Sequence, residues 1–259
     1  MNIRFLGTHN SESKDTNPAC ILIDHFLAID AGGLVSSLSF SEQLAIKALL
    51  VTHHHFDHIK DIPMMGLTFH IHNSRIHIYS IKPVHDALAY IFEYPEKFYT
   101  NFLTHPQEKP TINFTEIKPL EPFIIKGYNI LPVPMKHSVP SVGYQITSPS
   151  GKKLFYSGDT GKGLAESWQH ISPDLLVVEV TAADGFLKFE KEASHLTPAL
   201  LKEELISFKK IKGYLPNVIT VHMFPQNPEK ELIIRELNQI AVDLDTPIIP
   251  GIEGMQVTL

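Results

Sequence analysis

The sequence predicts an α/β protein in which two β-sheets pack face to face with helices outside. Two strand-rich stretches, one in each half of the chain, are each followed by helix-like segments. The residues best suited to chemistry stand just after apolar runs of strand length, which gathers them along one edge of such a sandwich.

Residues 3–6 read as a strand, and 19–23 with 26–29 as a hairpin around Asp24-His25. Asp30-Ala31-Gly32-Gly33 breaks the pattern. A helix is expected over 34–44, a strand over 46–51, and a helix from His58 to about residue 65. That helix leaves Asp57 and His58 near an N-terminus, where negative charge is favoured. Residues 83–92 read as a helix. Residues 94–111 hold three prolines and read as a loop or cap. The expected organisation is one domain over 1–259 with a pocket-capping insertion around 80–118. Residues 122–125 and 128–133 flank Lys126-Gly127, and 142–147 and 153–156 flank Ser148-Pro149-Ser150-Gly151, so both pairs read as hairpins. Strands at 175–180, 218–221 and 248–249 then alternate with helices at 198–208 and 228–242.

At 259 residues, with 43% apolar and 19% charged, the chain can bury a core. No apolar run approaches the roughly 20 residues that span a bilayer, and no signal peptide is visible. Cys20 is the single cysteine, which excludes an internal disulfide framework; its apolar strand marks it as a buried, inert thiol. A cytoplasmic location is expected, with no membrane partner. The formal charge of −6 argues against a dedicated nucleic-acid binder. The basic run Lys209-Lys210-Ile211-Lys212 reads as a solvated helix end.

The most informative segment is His53-x-His55-x-Asp57-His58, directly after the apolar Ala48-Leu49-Leu50-Val51. Burying so polar a segment without partners would cost several kcal/mol. Imidazole and carboxylate together form the usual donor set for zinc-like metals. Other candidates follow strands in the same way: His137, Asp159 in Ser157-Gly158-Asp159-Thr160, His195 before Pro198, and His222. His70, His72, His77, His85, His105 and His170 lack such a setting and read as surface or satisfied core residues.

In order and spacing, His53-x-His55-x-Asp57-His58, His137, Ser-Gly-Asp159-Thr and His222 resemble the metallo-β-lactamase superfamily over nearly the whole chain. The resemblance implies an αββα sandwich of two mixed sheets with two divalent metal ions at one edge. Residue by residue, it gives His53, His55 and His137 to one metal, and Asp57, His58 and His222 to the other, with Asp159 bridging. His54 faces away in the family pattern. Asp61 departs from the glycine common at its position, which bears on subfamily rather than on metal binding. Zinc suits the donors, and manganese or iron tolerate them. Such a pair of metals would supply an activated water for attack on an ester-like bond, with Asp57 and Asp159 expected to orient it.

Superfamily members cleave lactams, lactones, thioesters and phosphodiesters, so fold does not select the ester. Ser194-His195-Leu196-Thr197-Pro198, Tyr156-Ser157-Gly158-Asp159-Thr160-Gly161 and Thr220-Val221-His222-Met223-Phe224-Pro225 are most similar to class II cyclic-nucleotide phosphodiesterases. The pairing of Glu179 with His195 is also similar to ribonuclease Z. In both branches the resemblance makes His195 the residue that meets the phosphate or leaving oxygen, oriented by Glu179. A histidine near neutral pKa can protonate a leaving alkoxide, and a carboxylate behind it fixes the ring. Ser138, Ser141 and Tyr144 are further candidates for the pocket wall. The expected partner is a small phosphodiester, with RNA second. The runner-up functions are a ribonuclease Z-like tRNA 3′-endonuclease and a lactone or thioester hydrolase. A non-catalytic metal-binding module is the reading from another class; such modules tend to lose ligands, and none is lost here. Homodimers are frequent in the family, though no apolar stripe here demands one.

Overall fold

The computed structural model describes residues 1–93, 100–186 and 194–259. Two seven-stranded mixed sheets form its centre. In the first, β1 (Asn2–Gly7), β2 (Cys20–Ile23) and β3 (Leu27–Ile29) form an antiparallel run. It continues in parallel through β4 (Ala48–Leu50), β5 (Ile76–Ser80) and β6 (Ile112–Glu116). The second starts as an antiparallel meander of β7 (Phe123–Ile125), β8 (Tyr128–Pro134), β9 (Val142–Thr147) and β10 (Lys153–Tyr156). It continues in parallel through β11 (Leu175–Glu179), β12 (Asn217–Val221) and β13 (Ile248–Pro250). β14 (Gln256–Thr258) returns to pair antiparallel with β1.

Period-two alternation explains the layering. Along β11, Leu175 and Val177 join the core between the sheets, while Leu176 and Val178 face the helical layer with Trp168, Leu205 and Phe208. β12 repeats this, with Ile219 and Val221 on the first side and Val218 on the second. A strand buried on both faces must be apolar throughout, and β11 is so until Glu179. The helices covering the second sheet are α6 (Ala165–His170), α7 (Pro198–Lys212) and α8 (Glu229–Leu244). Thr197 caps α7 by accepting from Leu200 N, Pro198 begins it, and left-handed Gly213 ends it. The basic run expected at a helix end is the last turn of α7.

Several elements differ from expectation. The helix expected over 34–44 is two, α1 (Leu34–Ser37) and α2 (Phe40–Ala45). Ser39 divides them: its hydroxyl accepts from Glu42 N while the Glu42 carboxylate accepts from Ser39 N, a reciprocal cap that starts a new helix. The helix expected from His58 begins earlier, as the single turn α3 (Phe56–Ile59), and resumes as α4 (Ile62–Ile71) with Pro63 in its first turn. The segment around 80–118 contributes α5 (Lys82–Glu93) and the sheet-edge strand β6; its residues 94–99 lie outside the described residues. Among the described residues no helix is long and apolar enough to cross a membrane.

Glu204 of α7 is 6% exposed and accepts from Gly163 N, Leu164 N and Trp168 Nε1 at 2.6, 3.2 and 3.1 Å. It thereby fixes the segment between Asp159 and α6. Glu204→Ala leaves these donors without their acceptor and should lower unfolding stability by about 2–4 kcal/mol. Urea denaturation checks this; a wild-type midpoint would contradict it.

Candidate metal centre

The polar residues collect where strands of both sheets end. β4 delivers Thr52 to His55, and His55 is extended at the N-terminus of α3, which carries Asp57 and His58 in one turn. β10 ends before Ser157-Gly158-Asp159, β11 ends at Glu179, and β12 ends before His222. Gly158 has φ +59°, and a Cβ there would stand 2.8 Å from Thr52 Cβ, so glycine lets the Asp159 turn approach the histidine loop. Asp30, Ser194 and His222 are non-glycine residues with φ of 58°, 61° and 65°, strain that the surrounding contacts hold in place.

All seven expected ligands come together. Ligand atoms of His53, His55, His137 and Asp159 lie within 4.8 Å of one another, as do those of Asp57, His58, Asp159 and His222. Asp159 belongs to both groups. Its carboxylate oxygens lie 3.1 Å from His58 Nε2, 3.4 Å from His222 Nε2, 3.6 Å from His53 Nε2 and 3.9 Å from His137 Nε2. His54 joins neither group.

Hydrogen bonds behind the rings decide which nitrogen faces inward. His53 Nδ1 donates to Thr52 Oγ1 at 3.0 Å, since that hydroxyl gives its own proton to Asp30. His58 Nδ1 donates to Asp30 Oδ2 at 2.8 Å, His137 Nδ1 to Ser194 O at 3.2 Å, and His222 Nδ1 to Thr181 Oγ1 at 2.9 Å. Each ring is thus set with Nε2 toward the cluster, as ligating histidines require. His55 presents Nδ1, 3.2 Å from His137 Nε2. Buried His53 Nε2, His58 Nε2 and Asp159 Oδ1 make no hydrogen bond. Buried polar atoms rarely go unpartnered, and these all face one another. The site fits divalent metal ions.

The imidazoles of the two groups are shifted in opposite directions, although Asp159 is common to both. Burial holds His53, His55 and His137 below the ordinary imidazole range, with neighbouring imidazoles adding to the effect. Burial also disfavours charge on His58 and His222, but Asp159 and Asp57 outweigh it, with Asp30 adding at His58, and both rings are shifted upward. Against burial, these rings hold Asp57 and Asp159 well below the usual carboxylate range.

Beside the clusters, His195 Nδ1 donates to Glu179 Oε1 at 2.7 Å. The His195 ring stacks on His222 (centroids 5.3 Å, 18°) and meets His137 edge-on. Glu179 is fully buried and also accepts from Thr160 N, Thr181 Oγ1 and Leu196 N. One carboxylate therefore braces the Asp159 turn, His195 and, through Thr181, His222. Ser138 is exposed, with Oγ 3.5 Å from His137 Nε2, whereas Ser141 is buried. Tyr144 is a core residue whose hydroxyl donates to Val51 O, so it is no pocket residue. Cys20 is buried, its thiol donates to Asp30 O, and burial raises its pKa.

Sequence reasoning missed Asp30, Thr52 and Thr181. Asp30 was legible by the criterion that found the ligands, a polar residue directly after an apolar strand, but the following glycines made it read as a turn. The role of Thr181 carried no such signal, because beyond Glu179 the rings that it meets stand 14 and 41 positions away.

Residues 21–223 match the family described as the beta-lactamase superfamily domain. The chain belongs to the metallo-β-lactamase superfamily of metal-dependent hydrolases. It is 30% identical over 214 residues to an uncharacterized protein of Mycobacterium tuberculosis, covering 71% of this chain and 74% of that one. Over 155 residues it is 25% identical to Ribonuclease Z of Methanopyrus kandleri, covering 57% and 50%. The crystal structure of unliganded yeast PDE1 superposes with a TM-score of 0.85 at 17% identity, covering 100% of this chain and 99% of that one.

Asp30 accepts from Thr52 N, Thr52 Oγ1 and His58 Nδ1. Asp30→Asn turns a donor toward one of these donors and should weaken metal affinity about 10- to 100-fold. Elemental analysis after dialysis against limiting metal checks this; wild-type content would remove Asp30 from the metal site's support.

Proposed function

We propose that this chain is a binuclear metal-dependent phosphodiesterase acting on a small phosphodiester of the cyclic-nucleotide type. The observation that carries the reading is the Glu179–His195 pair, 2.7 Å apart, with its ring against both His222 and His137. A thioester hydrolase would leave this pair without work, because a thiolate departs without a dedicated proton donor.

In this reading His53, His55 and His137 hold one divalent ion and Asp57, His58 and His222 the other, with Asp159 shared. Zinc suits the donors, and manganese or iron are accommodated. When bound, such ions polarise a phosphoryl oxygen and acidify water. The protein's own groups do the rest. Asp57, with 26% of its side chain exposed against 3% for Asp159, is the carboxylate placed to orient an attacking water. Glu179 holds the His195 Nδ1 proton, so the proton given to a departing alkoxide comes from Nε2. Ser194, at φ 61°, turns the chain so that its carbonyl supports His137 while the next residue reaches the same seam.

Two features support a small substrate over a large RNA. The formal charge is −6, and the one notable basic run is spent on the C-terminal turn of α7, where it complements the helix dipole. The partial identity to Ribonuclease Z of Methanopyrus kandleri favours the second reading, a tRNA 3′-endonuclease with the same paired side chains. A lone, buried Cys20 suits a reducing, cytoplasmic setting.

His195→Ala should slow cleavage of cyclic nucleotides by about 10²- to 10⁴-fold, and that of bis-nitrophenyl phosphate, whose nitrophenolate leaves without a proton, far less, while metal content stays at the wild-type level. Loss of metal would make His195 a ligand instead. Cleavage of precursor tRNA in preference to the small diesters would select the endonuclease.

A further inference from the structure

The β1–β2 loop, residues 8–19, holds a histidine that the chemistry above does not use. His9 is 1% exposed. Its Nδ1 lies 2.5 Å from Glu253 Oε1 and its Nε2 lies 2.9 Å from Lys230 Nζ. An ammonium can only donate, so Nε2 accepts and the ring proton sits on Nδ1, given to Glu253. His9 therefore bridges a cation at the start of α8 and an anion in the β13–β14 crossover. Glu253 also accepts from Asn17 N, and against its burial these donors pull its pKa down to about 2.

This bridge adjoins one metal cluster and not the other. The backbone around His9 pairs with Met223, the residue after His222: Met223 N donates to Thr8 O at 3.2 Å and Asn10 N donates to Met223 O at 3.4 Å. Farther along the loop, Glu12 pairs with Lys60, two residues after His58, at 3.1 Å. Near the loop's end, Pro18 packs on Gly32, where an added Cβ would lie 2.7 Å from Pro18 Cβ and 2.0 Å from the Asp57 carbonyl. One loop thus touches the chain directly after His222 and two residues after His58, and reaches the Asp57 carbonyl through Gly32. The histidines of the other cluster are braced from elsewhere, by Thr52 and by Ser194. His222 is also the ligand whose backbone is strained, at φ 65°, so it depends on a neighbour to hold it.

We infer that His9, keyed between Glu253 and Lys230, is a positioning residue for the Asp57–His58–His222 cluster and sets its metal affinity independently of the His53–His55–His137 cluster. The inference rests on the binuclear reading given above.

The test is a titration of metal-stripped protein with Zn²⁺ against a chromophoric chelator, which reads affinity without turnover. Wild type should bind in two steps, and the step abolished by His222→Ala marks the relevant cluster. His9→Ala should weaken that step about 10- to 100-fold and leave the other at its wild-type value. Lys230→Met, which keeps the buried ring, should weaken the same step by a smaller factor and serves if His9→Ala does not fold. His9→Gln, whose amide both donates and accepts, should recover part of the loss. Two wild-type steps that are unchanged in the His9 and Lys230 variants, or weakened equally, would overturn the inference while sparing the binuclear reading. A wild type that takes up no second ion would overturn both.

Discussion

Asp159 is 2% exposed and has imidazole nitrogens of His58, His222, His53 and His137 within 3.9 Å. A buried carboxylate survives only where positive charge or donors answer it. Here the answer is partial. The rings crowd the carboxylate, yet Oδ1 makes no hydrogen bond, nor do His53 Nε2 and His58 Nε2. The lone pairs point at one another across a gap whose natural occupant is a cation. The bonds from His53 Nδ1 to Thr52 and from His58 Nδ1 to Asp30 leave the Nε2 lone pairs of both rings uncommitted.

The sandwich provides that support from both halves. Each sheet changes from antiparallel to parallel pairing, and the candidate ligand segments follow β4, β8, β10 and β12. Two buried acids tie the segments together. Asp30 joins Thr52 to His58, so it orients one ring of each cluster; the hydroxyl it fixes receives the His53 proton. Glu179 joins the Asp159 turn, Thr181 and His195. These carboxylates bear the same relation to the rings as the acid in a carboxylate–histidine–metal triad, fixing tautomer and raising basicity. The Glu179–His195 pair thereby shares its framework with the clusters suited to metal. A change at Glu179 therefore acts on both, whereas a change at His195 acts on one.

The two hairpins of the second sheet were plain in the sequence, because Lys126-Gly127 and the Ser-Pro-Ser-Gly turn separate short apolar runs. The ligand set was readable for a related reason: a polar residue at the end of an apolar strand needs a purpose. Short elements whose stability is lent from far away were not readable. α6 is six residues long, and its entry is held by Glu204, about 40 positions later. β14 exists because it pairs with β1 at the opposite end of the chain. The break at Ser39 did carry a local signal, Ser-x-x-Glu, which the run of apolar residues on either side obscured. His9 read as nothing at all, since both its partners lie more than 220 positions away.

The central claim is that two cations share Asp159, each completed by its own trio of side chains. Anomalous diffraction from crystals grown with zinc tests it directly. Two peaks are expected, one among His53, His55 and His137 and one among Asp57, His58 and His222, both in contact with the Asp159 carboxylate. A single peak held by Glu179, His195 and His222, or peaks only at outlying histidines such as His70 and His105, would contradict it.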